Sequence, residues 1–222
     1  MANKKIKMII TDMDGSIVNY PNKPFNSNWD VFPEILSDKK KKEWFALRDF
    51  YIKKNWAYEE WFNKRVDLLK GITFSKTLSS FFPIPYSKGV ESFFSFVDDK
   101  YVKGIISSGV GFVAEKIKDE LDFDFQVSNH LEIKNGKFTG KGKTNCGFLE
   151  KGRIVSSFAK KYGFVNEEVC YIGDHFNDIP AFNLVGLAVA FNPKEKNLEK
   201  KVDCVIYDFD DLKQILREVN GQ

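Results

Sequence analysis

Asp12 and Asp14 are two carboxylates, two residues apart, that directly follow the short apolar run 7–11. The run is β-branched and short, which predicts a buried strand with both acids near its carboxyl end. A carboxylate there can attack phosphorus, and a second can protonate the leaving oxygen and then activate water. Gly15 would let the backbone turn sharply away. An aspartate-rich turn or a helix cap explains the same pattern, and this motif alone does not decide between them.

Asp174 and Asp178 form a second acidic pair, in the sequence GDHFND that follows another apolar run. Hard oxygen ligands near a phosphate suit Mg²⁺, which keeps several of its waters. If all four carboxylates met without a cation, they would repel one another, and a divalent metal removes that conflict. We therefore predict a Mg²⁺ site from Asp12, Asp14, Asp174 and Asp178. A capped turn before a short helix is the alternative for the second pair.

A hydroxyl-rich segment, Ser107-Ser108-Gly109, follows the apolar run 102–106. Hydroxyl groups and free backbone amides at a strand end can bind phosphate oxygens, as can the N-terminus of the helix that follows. Taken alone, Ser107 is better explained as an ordinary N-cap of a helix over 111–121.

Lys151 stands at the start of a predicted helix over 152–162. A cation at a helix N-terminus opposes the helix dipole, so helix stability does not explain it. It could instead neutralise a phosphate and the nucleophile together. A surface lysine remains the default interpretation of the residue by itself.

Strands and helices alternate along most of the chain, which predicts a doubly wound, Rossmann-like α/β domain with a parallel sheet. In such sheets the ligand binds beyond the carboxyl ends of the strands, where these polar segments should converge. The predicted strands are 7–11, 102–106, 168–172, 187–191 and 204–207.

Two stretches interrupt the alternation. Residues 16–85 are rich in aromatic and charged residues and predict a helical cap inserted after the first strand, with helices around 38–54 and 58–70. Asn135-Gly136, within about 124–147, predicts a small β-hairpin insert. The domains are therefore an α/β core, 1–15 and 86–222, and a cap domain, 16–85.

The bulk composition excludes several classes of protein. A formal net charge of +3 over 222 residues indicates neither a nucleic-acid nor a membrane partner. The three cysteines are far apart and form no CxxC pair, so neither a disulfide framework nor a zinc site is predicted. The apolar run near the N-terminus is too short for a signal sequence or a membrane span. We expect a cytoplasmic protein, and nothing in the sequence indicates an oligomeric state.

Taken in order, the four motifs resemble those of the haloacid dehalogenase superfamily of phosphohydrolases. They read here as DMDGS from Asp12, IIS ending at Ser107, Lys151, and GD followed by ND over 173–178. The resemblance covers roughly residues 5–20 and 86–220. Dehalogenases of this superfamily lack the second carboxylate of the first motif, so Asp14 points to phosphate substrates.

The resemblance implies a role for each of these residues. Asp12 would be the nucleophile and a Mg²⁺ ligand, and Asp14 the general acid and base, with its backbone carbonyl on the metal. The other implied roles are phosphoryl binding by Ser107, Ser108, Gly109 and Lys151, metal ligation by Asp174, support of the metal site by Asp178, and a place near the phosphate for Asn177.

A closer resemblance is to the phosphoserine phosphatase branch, over 105–187 and in the sequence KRVDLLK of the cap. In that branch the arginine matching Arg65 receives the substrate carboxylate. This chain departs from the branch at Pro21, where a glutamate usually meets the amino group of serine. It also has Ser108 for a glycine, and His175 at a position usually filled by a smaller residue, which makes His175 a candidate substrate contact.

We therefore predict a Mg²⁺-dependent phosphomonoester hydrolase that forms an aspartyl-phosphate and acts on a small phosphorylated metabolite, such as phosphoserine or a related carboxylate-bearing phosphate. Transfer of the phosphoryl group to an acceptor hydroxyl uses the same motifs and is the alternative. A non-catalytic phosphate-binding regulator is a further one. The tryptophans all fall in the cap and either line its pocket or form its core: Trp29, Trp44, Trp56 and Trp61.

Overall fold

One seven-stranded sheet organises the protein, whose structure, a computed structural model, describes residues 5–21, 23, 26–52, 54 and 57–221. The strand order is β4-β3-β2-β1-β5-β6-β7, and every neighbouring pair is parallel except β3 with β4. The predicted doubly wound α/β fold is confirmed. The strands are β1 (Met8–Thr11), β2 (Val102–Val110), β3 (Phe125–Lys134), β4 (Lys137–Lys143), β5 (Val169–Gly173), β6 (Leu187–Phe191) and β7 (Cys204–Ile206).

Helices cover the sheet and build the cap. Within the described ranges the α-helices are α1 (Asp38–Tyr51), α2 (Tyr58–Leu68), α3 (Phe74–Phe81), α4 (Val90–Val97), α5 (Gly111–Glu120), α6 (Lys151–Lys161), α7 (Ile179–Phe182) and α8 (Asp211–Asn220). The same ranges include 3₁₀ turns at Asn28–Asp30, Phe32–Glu34, Asp98–Lys100, Asn166–Glu168, Phe176–Asp178 and Leu198–Lys201.

The central strand β1 is buried on both faces. Met8 and Ile10 belong to the same apolar cluster as Val155 of α6, while Ile9 belongs to the cluster that holds Leu212 of α8. Alternate side chains thus enter two cores, as expected for a parallel sheet covered by helices. β1 pairs with β2 on one side and with β5 on the other, so the topological switch point lies at its carboxyl end, beside Asp12.

Two features of the fold differ from the sequence-based expectation. The predicted hairpin insert is an extension of the main sheet, because β3 also pairs in parallel with β2 before it turns at Asn135-Gly136 into β4. The helices α3 and α4 were not predicted. For α4 the signal was present, since Val90, Phe93, Phe94 and Val97 follow the helical period and are buried.

The chain enters and leaves the cap segment side by side. Val18 and Tyr86 form an antiparallel bridge, and the Ser87 amide donates to the Ile17 carbonyl at 2.8 Å. This pairing ties both ends of the segment to each other at the edge of the core. The division into core and cap stays a prediction, and the paired ends support it.

The hairpin and the cap share one aromatic core. The Phe32 ring lies 5.7 Å from Trp44 of α1, 5.0 Å from Phe81 of α3 and 6.1 Å from Phe138 of β4, measured between ring centroids. Because Phe138 is only 2% exposed, β4 contributes directly to the packing of the cap. Of the predicted cap tryptophans, Trp56 lies outside the described residues.

Phe138→Ala should lower the free energy of unfolding by about 3–5 kcal/mol, because it leaves a cavity where cap and hairpin meet. Urea denaturation followed by circular dichroism measures the loss. Ile133 is the matched control, since it pairs with Phe138 across the hairpin but is 37% exposed. Ile133→Ala should cost less than about 1 kcal/mol. Equal losses for the two variants would contradict a core shared by cap and hairpin.

Candidate active site

Lys151 lies at the centre of a buried group of charges. Its side chain is fully buried at the start of α6, and its Nζ lies 2.9 Å from Asp12 Oδ2 and donates to Asp178 Oδ1 at 2.6 Å. Burial alone would lower the pKa of Lys151, but Asp12 and Asp178 together raise it, so the ammonium stays charged. Lys151 is therefore not a surface lysine.

Asp12 follows β1 and is held at the floor of a cleft. Its amide donates to the Ile172 carbonyl of β5 at 2.8 Å, and its side chain lies beside the Lys151 ammonium. Burial raises the pKa of the Asp12 carboxyl, and Lys151 opposes that shift. The second oxygen, Asp12 Oδ1, is buried with no hydrogen-bond partner among the described residues. A buried carboxylate oxygen without a partner is costly unless a ligand bonds to it.

Asp178 differs from Asp12 because both of its oxygens have partners. Asp178 Oδ1 accepts from Lys151 and from the Tyr171 hydroxyl at 2.8 Å, and Oδ2 accepts from the amides of Asp174 and His175 at 3.0 Å each. Gly173 makes this approach possible, since a Cβ there would lie 2.3 Å from Asp178 Cγ. Asp178 thus orients Lys151 and the loop that carries Asp174.

Asp14 is held by the first 3₁₀ turn of the cap segment. Its Oδ1 accepts from the Asn28 amide and its Oδ2 from the Ser27 hydroxyl, both at 2.9 Å. Burial raises the pKa of Asp14 to about 7; the Asn28 hydrogen bond opposes this shift and the Asp12 charge adds to it. A carboxyl with such a pKa is protonated in a large fraction of molecules near neutral pH, as a proton donor to a leaving group must be.

Asp174 completes an acidic cluster with Asp12 and Asp178. One oxygen from each of these three carboxylates lies within 4.8 Å of the other two, and all three residues are buried. Burial raises the pKa of Asp174 to about 8, although Lys194, 2.7 Å from Asp174 Oδ2, lowers it. Burial disfavours the charged form of these carboxylates, and a bound cation would stabilise it. Hard oxygen donors are the ligands that Mg²⁺ prefers.

Ser107, Ser108 and Gly109 lie within β2, where its pairing with β3 shifts register between Ile106 and Val110. The irregular backbone brings all three residues to the cleft that Asp12 lines. Ser107 Oγ accepts from the Gly109 amide at 3.1 Å. It does not cap α5, which begins after Val110 without a side-chain cap. The N-cap explanation of Ser107 is therefore wrong.

The Ser108 carbonyl joins the cap to the core. It accepts hydrogen bonds from Trp29 Nε1 at 3.0 Å, from the Tyr58 hydroxyl at 2.7 Å and from Asn129 Nδ2 at 2.9 Å. Trp29 and Tyr58 belong to the cap, whereas Asn129 belongs to β3. The position of the Ser107-Ser108-Gly109 segment therefore depends on the cap as well as on the sheet.

Arg65 of α2 lies in an aromatic box above the acidic cluster. Its guanidinium carbon lies 4.3 Å from the Trp29 ring centroid, 4.5 Å from Trp44 and 4.8 Å from Trp61. The residue is 6% exposed, and its Nε has no hydrogen-bond partner among the described residues. Burial lowers the pKa of Arg65 to about 10, so the group keeps its charge at neutral pH. The rings hold the guanidinium by cation–π contacts, which leave its N–H groups able to donate hydrogen bonds to an anion.

The tryptophans both line the cleft and build the cap core. Trp29 and Trp61 line the cleft beside Arg65, while Trp44 is fully buried. Asn177 also lines the cleft, and its Oδ1 is buried without a partner in the described structure. His175 lines the rim, where its Nε2 lies 3.0 Å from Glu195 Oε1. The site residues that the sequence predicted line this one cleft, except Lys151 and Asp178, which are buried beside Asp12 and Asp174.

Several residues of the cleft escaped the sequence analysis. Ser27 and Asn28 hold Asp14, and Asp30 and Lys194 line the cleft wall. No motif marked them, because they lie in irregular segments without a period. Asp30 is notable because it places a buried acidic residue near Arg65, although Pro21 stands at the expected acidic position.

Comparisons with known proteins agree on one family. Residues 50–216 match the model for haloacid dehalogenase-like hydrolases. The chain is 30% identical over 222 residues to the phosphoserine phosphatase of Methanocaldococcus jannaschii, covering 97% of this chain and 99% of that protein. It is 29% identical over 200 residues to the phosphoserine phosphatase of Archaeoglobus fulgidus, covering 87% of this chain but 54% of that longer protein.

Solved structures give the same result. A phospho-aspartyl intermediate analogue of phosphoserine phosphatase superposes with a TM-score of 0.76 at 27% identity, covering 96% of this chain and 99% of that one. A substrate-bound phosphoserine phosphatase complex gives 0.75 at 29% identity, covering 97% and 99%. In the described part of this chain, no helix has the length and apolar character needed to cross a membrane.

Asp178→Ala should lower the free energy of unfolding by about 3–5 kcal/mol, because it removes one partner of a buried ion pair and leaves the amides of Asp174 and His175 without their acceptor. Urea denaturation in EDTA measures this without any contribution from bound metal. Asp119→Ala, at a side chain that is 66% exposed, is the control and should change stability by less than about 0.5 kcal/mol. A similarly small effect at Asp178 would contradict its orienting role.

Proposed function

Since the chain belongs to the haloacid dehalogenase-like hydrolases, we propose that it is a phosphomonoester hydrolase in which Asp12 is the covalent nucleophile. The observation that carries this proposal is the unpartnered, buried Asp12 Oδ1, which lies at the floor of a cleft beside a fully buried ammonium. The second oxygen of the same carboxylate is fixed by Lys151, so Oδ1 is held ready for one reaction partner. A carboxylate with only a structural role would have both oxygens paired, as Asp178 has.

The residues present fit a Mg²⁺ ion. Asp12 and Asp174 each place a carboxylate oxygen in the acidic cluster, and Asp14 would add its backbone carbonyl by family resemblance. We infer that Asp178 supports this site without ligating the ion, because four hydrogen-bond donors already occupy its oxygens. When bound, Mg²⁺ would neutralise the clustered carboxylates and polarise the phosphoryl oxygens.

In the first half-reaction, Asp12 attacks the phosphorus and the bond between phosphorus and the leaving oxygen breaks. Asp14 donates its proton to that oxygen, a role its raised pKa supports. Lys151 and the Ser107 hydroxyl stabilise the negative charge on the phosphoryl oxygens. The products of this step are the free alcohol and an aspartyl-phosphate on Asp12.

In the second half-reaction, Asp14 is a carboxylate and accepts a proton from water. The water oxygen bonds to phosphorus, and the bond from phosphorus to Asp12 breaks. Inorganic phosphate leaves and both carboxylates return to their starting states. The same aspartyl-phosphate would serve an acceptor hydroxyl, so the products distinguish hydrolysis from phosphotransfer.

The substrate class follows from the cap side of the cleft. We infer a small phosphate ester that also bears a carboxylate, since Arg65 presents a charged guanidinium held by rings. Asp30 lies on the same wall and gives the cleft mixed charge, which suits a substrate with both an anionic and a cationic group. Phosphoserine has this character, and the relatives named above carry that substrate in their names.

Asp12→Asn should reduce turnover by roughly 10⁴-fold or more, because the amide is no nucleophile. Phosphate release from a generic aryl phosphate with Mg²⁺ measures the loss, and the melting temperature checks the fold. Acid-quenched wild-type enzyme should retain labelled phosphate on the protein, whereas the variant should not. Turnover near that of the wild type would refute the nucleophile. Release of phosphorylated acceptor in place of phosphate would identify a transferase.

Arg65→Met should raise KM for phosphoserine by about 10- to 100-fold, since a charge-assisted hydrogen bond contributes about 1.5–3 kcal/mol. Methionine keeps an apolar chain in the aromatic box, so the cap should stay packed. The control is internal: KM for an aryl phosphate without a carboxylate should change by less than about threefold. Equal increases for both substrates would remove Arg65 from the substrate site.

A further inference from the structure

Two lysines pair with carboxylates of the acidic cluster, and their side chains differ in exposure. Lys151 is fully buried between Asp12 and Asp178. Lys194 lies in the segment after β6, its side chain is 29% exposed, and it pairs with Asp174.

The Lys194 ammonium lies against Asp174, one of the three carboxylates of the acidic cluster. Its Nζ is 2.7 Å from Asp174 Oδ2, and a Cβ built on Gly15 would lie 2.3 Å from the Nζ and 2.2 Å from that oxygen. Both groups therefore rest directly on the backbone that follows Asp14. This is the side of Asp174 that faces the first motif.

We propose that Lys194 is the counter-ion of Asp174 in the metal-free protein and competes with the divalent cation for that carboxylate. A cation that bonds to Asp174 Oδ2 would need the oxygen that the Lys194 ammonium contacts. Metal binding then requires Lys194 to withdraw, which its exposure and its position on a loop allow. The inference rests on the metal site of the proposed function.

Competition has two measurable consequences. Without metal, Lys194 offsets the charge of a buried carboxylate and so stabilises the folded state. With metal, part of the binding free energy is used to displace the ammonium, so the apparent affinity is lower than that of the bare carboxylates. A lysine that merely anchors its loop would stabilise the folded state both with and without metal. It would not lower the apparent affinity for the metal.

The experiment compares Lys194→Met with Lys196→Met, two residues along the same segment at an exposed position outside the cleft. Mg²⁺ binding to the full chain without substrate is measured by titration calorimetry, and melting temperatures are measured in EDTA and in saturating Mg²⁺. For Lys194→Met we expect the Kd for Mg²⁺ to fall about three- to tenfold. In EDTA its melting temperature should fall by about 2–4 °C, and in Mg²⁺ it should equal or exceed that of the wild type.

Lys196→Met should leave both quantities within error of the wild type. A Kd for Lys194→Met that is unchanged or higher would overturn the inference, as would a melting temperature lowered equally in EDTA and in Mg²⁺. An equal gain in affinity for both variants would also overturn it, since general charge repulsion would then explain the effect.

Asp174→Asn separates this inference from the proposed function. If the wild type binds Mg²⁺ and Asp174→Asn does not, the metal site stands, and the Lys194 comparison tests competition alone. If the wild type and Asp174→Asn give the same heat of titration, with no saturable binding, the metal site itself fails and the competition fails with it.

Discussion

The arrangement of the site depends on the burial of the Lys151 ammonium between Asp12 and Asp178. Removing an ion from water costs several kcal/mol, so a fully buried lysine requires carboxylates at both contacts. These contacts fix α6 against β1 and against the loop after β5. The two carboxylates then differ: both oxygens of Asp178 accept hydrogen bonds, whereas Asp12 Oδ1 has no partner among the residues that the structure describes.

The buried cation of the predicted cap segment, Arg65, contacts aromatic rings, whereas Lys151 contacts carboxylates. Arg65 is surrounded by tryptophan rings, which attract a cation without neutralising it. The guanidinium therefore remains a positively charged binding group in a region of low polarity, where its electrostatic attraction for an anion is strongest. Carboxylates that include Asp12 and Asp174 thus line the same cleft as the Arg65 guanidinium.

The residues at the strand ends were predictable because buried strands appear in the sequence as short apolar runs. Short apolar runs before Asp12 and Asp174 identify buried parallel strands, and such strands must end at one rim. The residues that hold these carboxylates in place follow no such sequence pattern. Asn28 reaches Asp14 only through a 3₁₀ turn in an irregular segment, and Lys194 reaches Asp174 from a loop. Their contacts are set by how loops pack in three dimensions, which hydrophobic periodicity does not encode.

The carbonyl of Ser108 makes the backbone beside the phosphoryl site responsive to the cap. Two of its three hydrogen-bond donors, Trp29 and Tyr58, belong to the predicted cap segment, and the third, Asn129, belongs to β3. Without the Trp29 and Tyr58 contacts this buried carbonyl would keep one donor of three, and a buried polar group left unsatisfied costs about 1–3 kcal/mol. These two hydrogen bonds therefore couple the predicted cap segment to the backbone that carries Ser107.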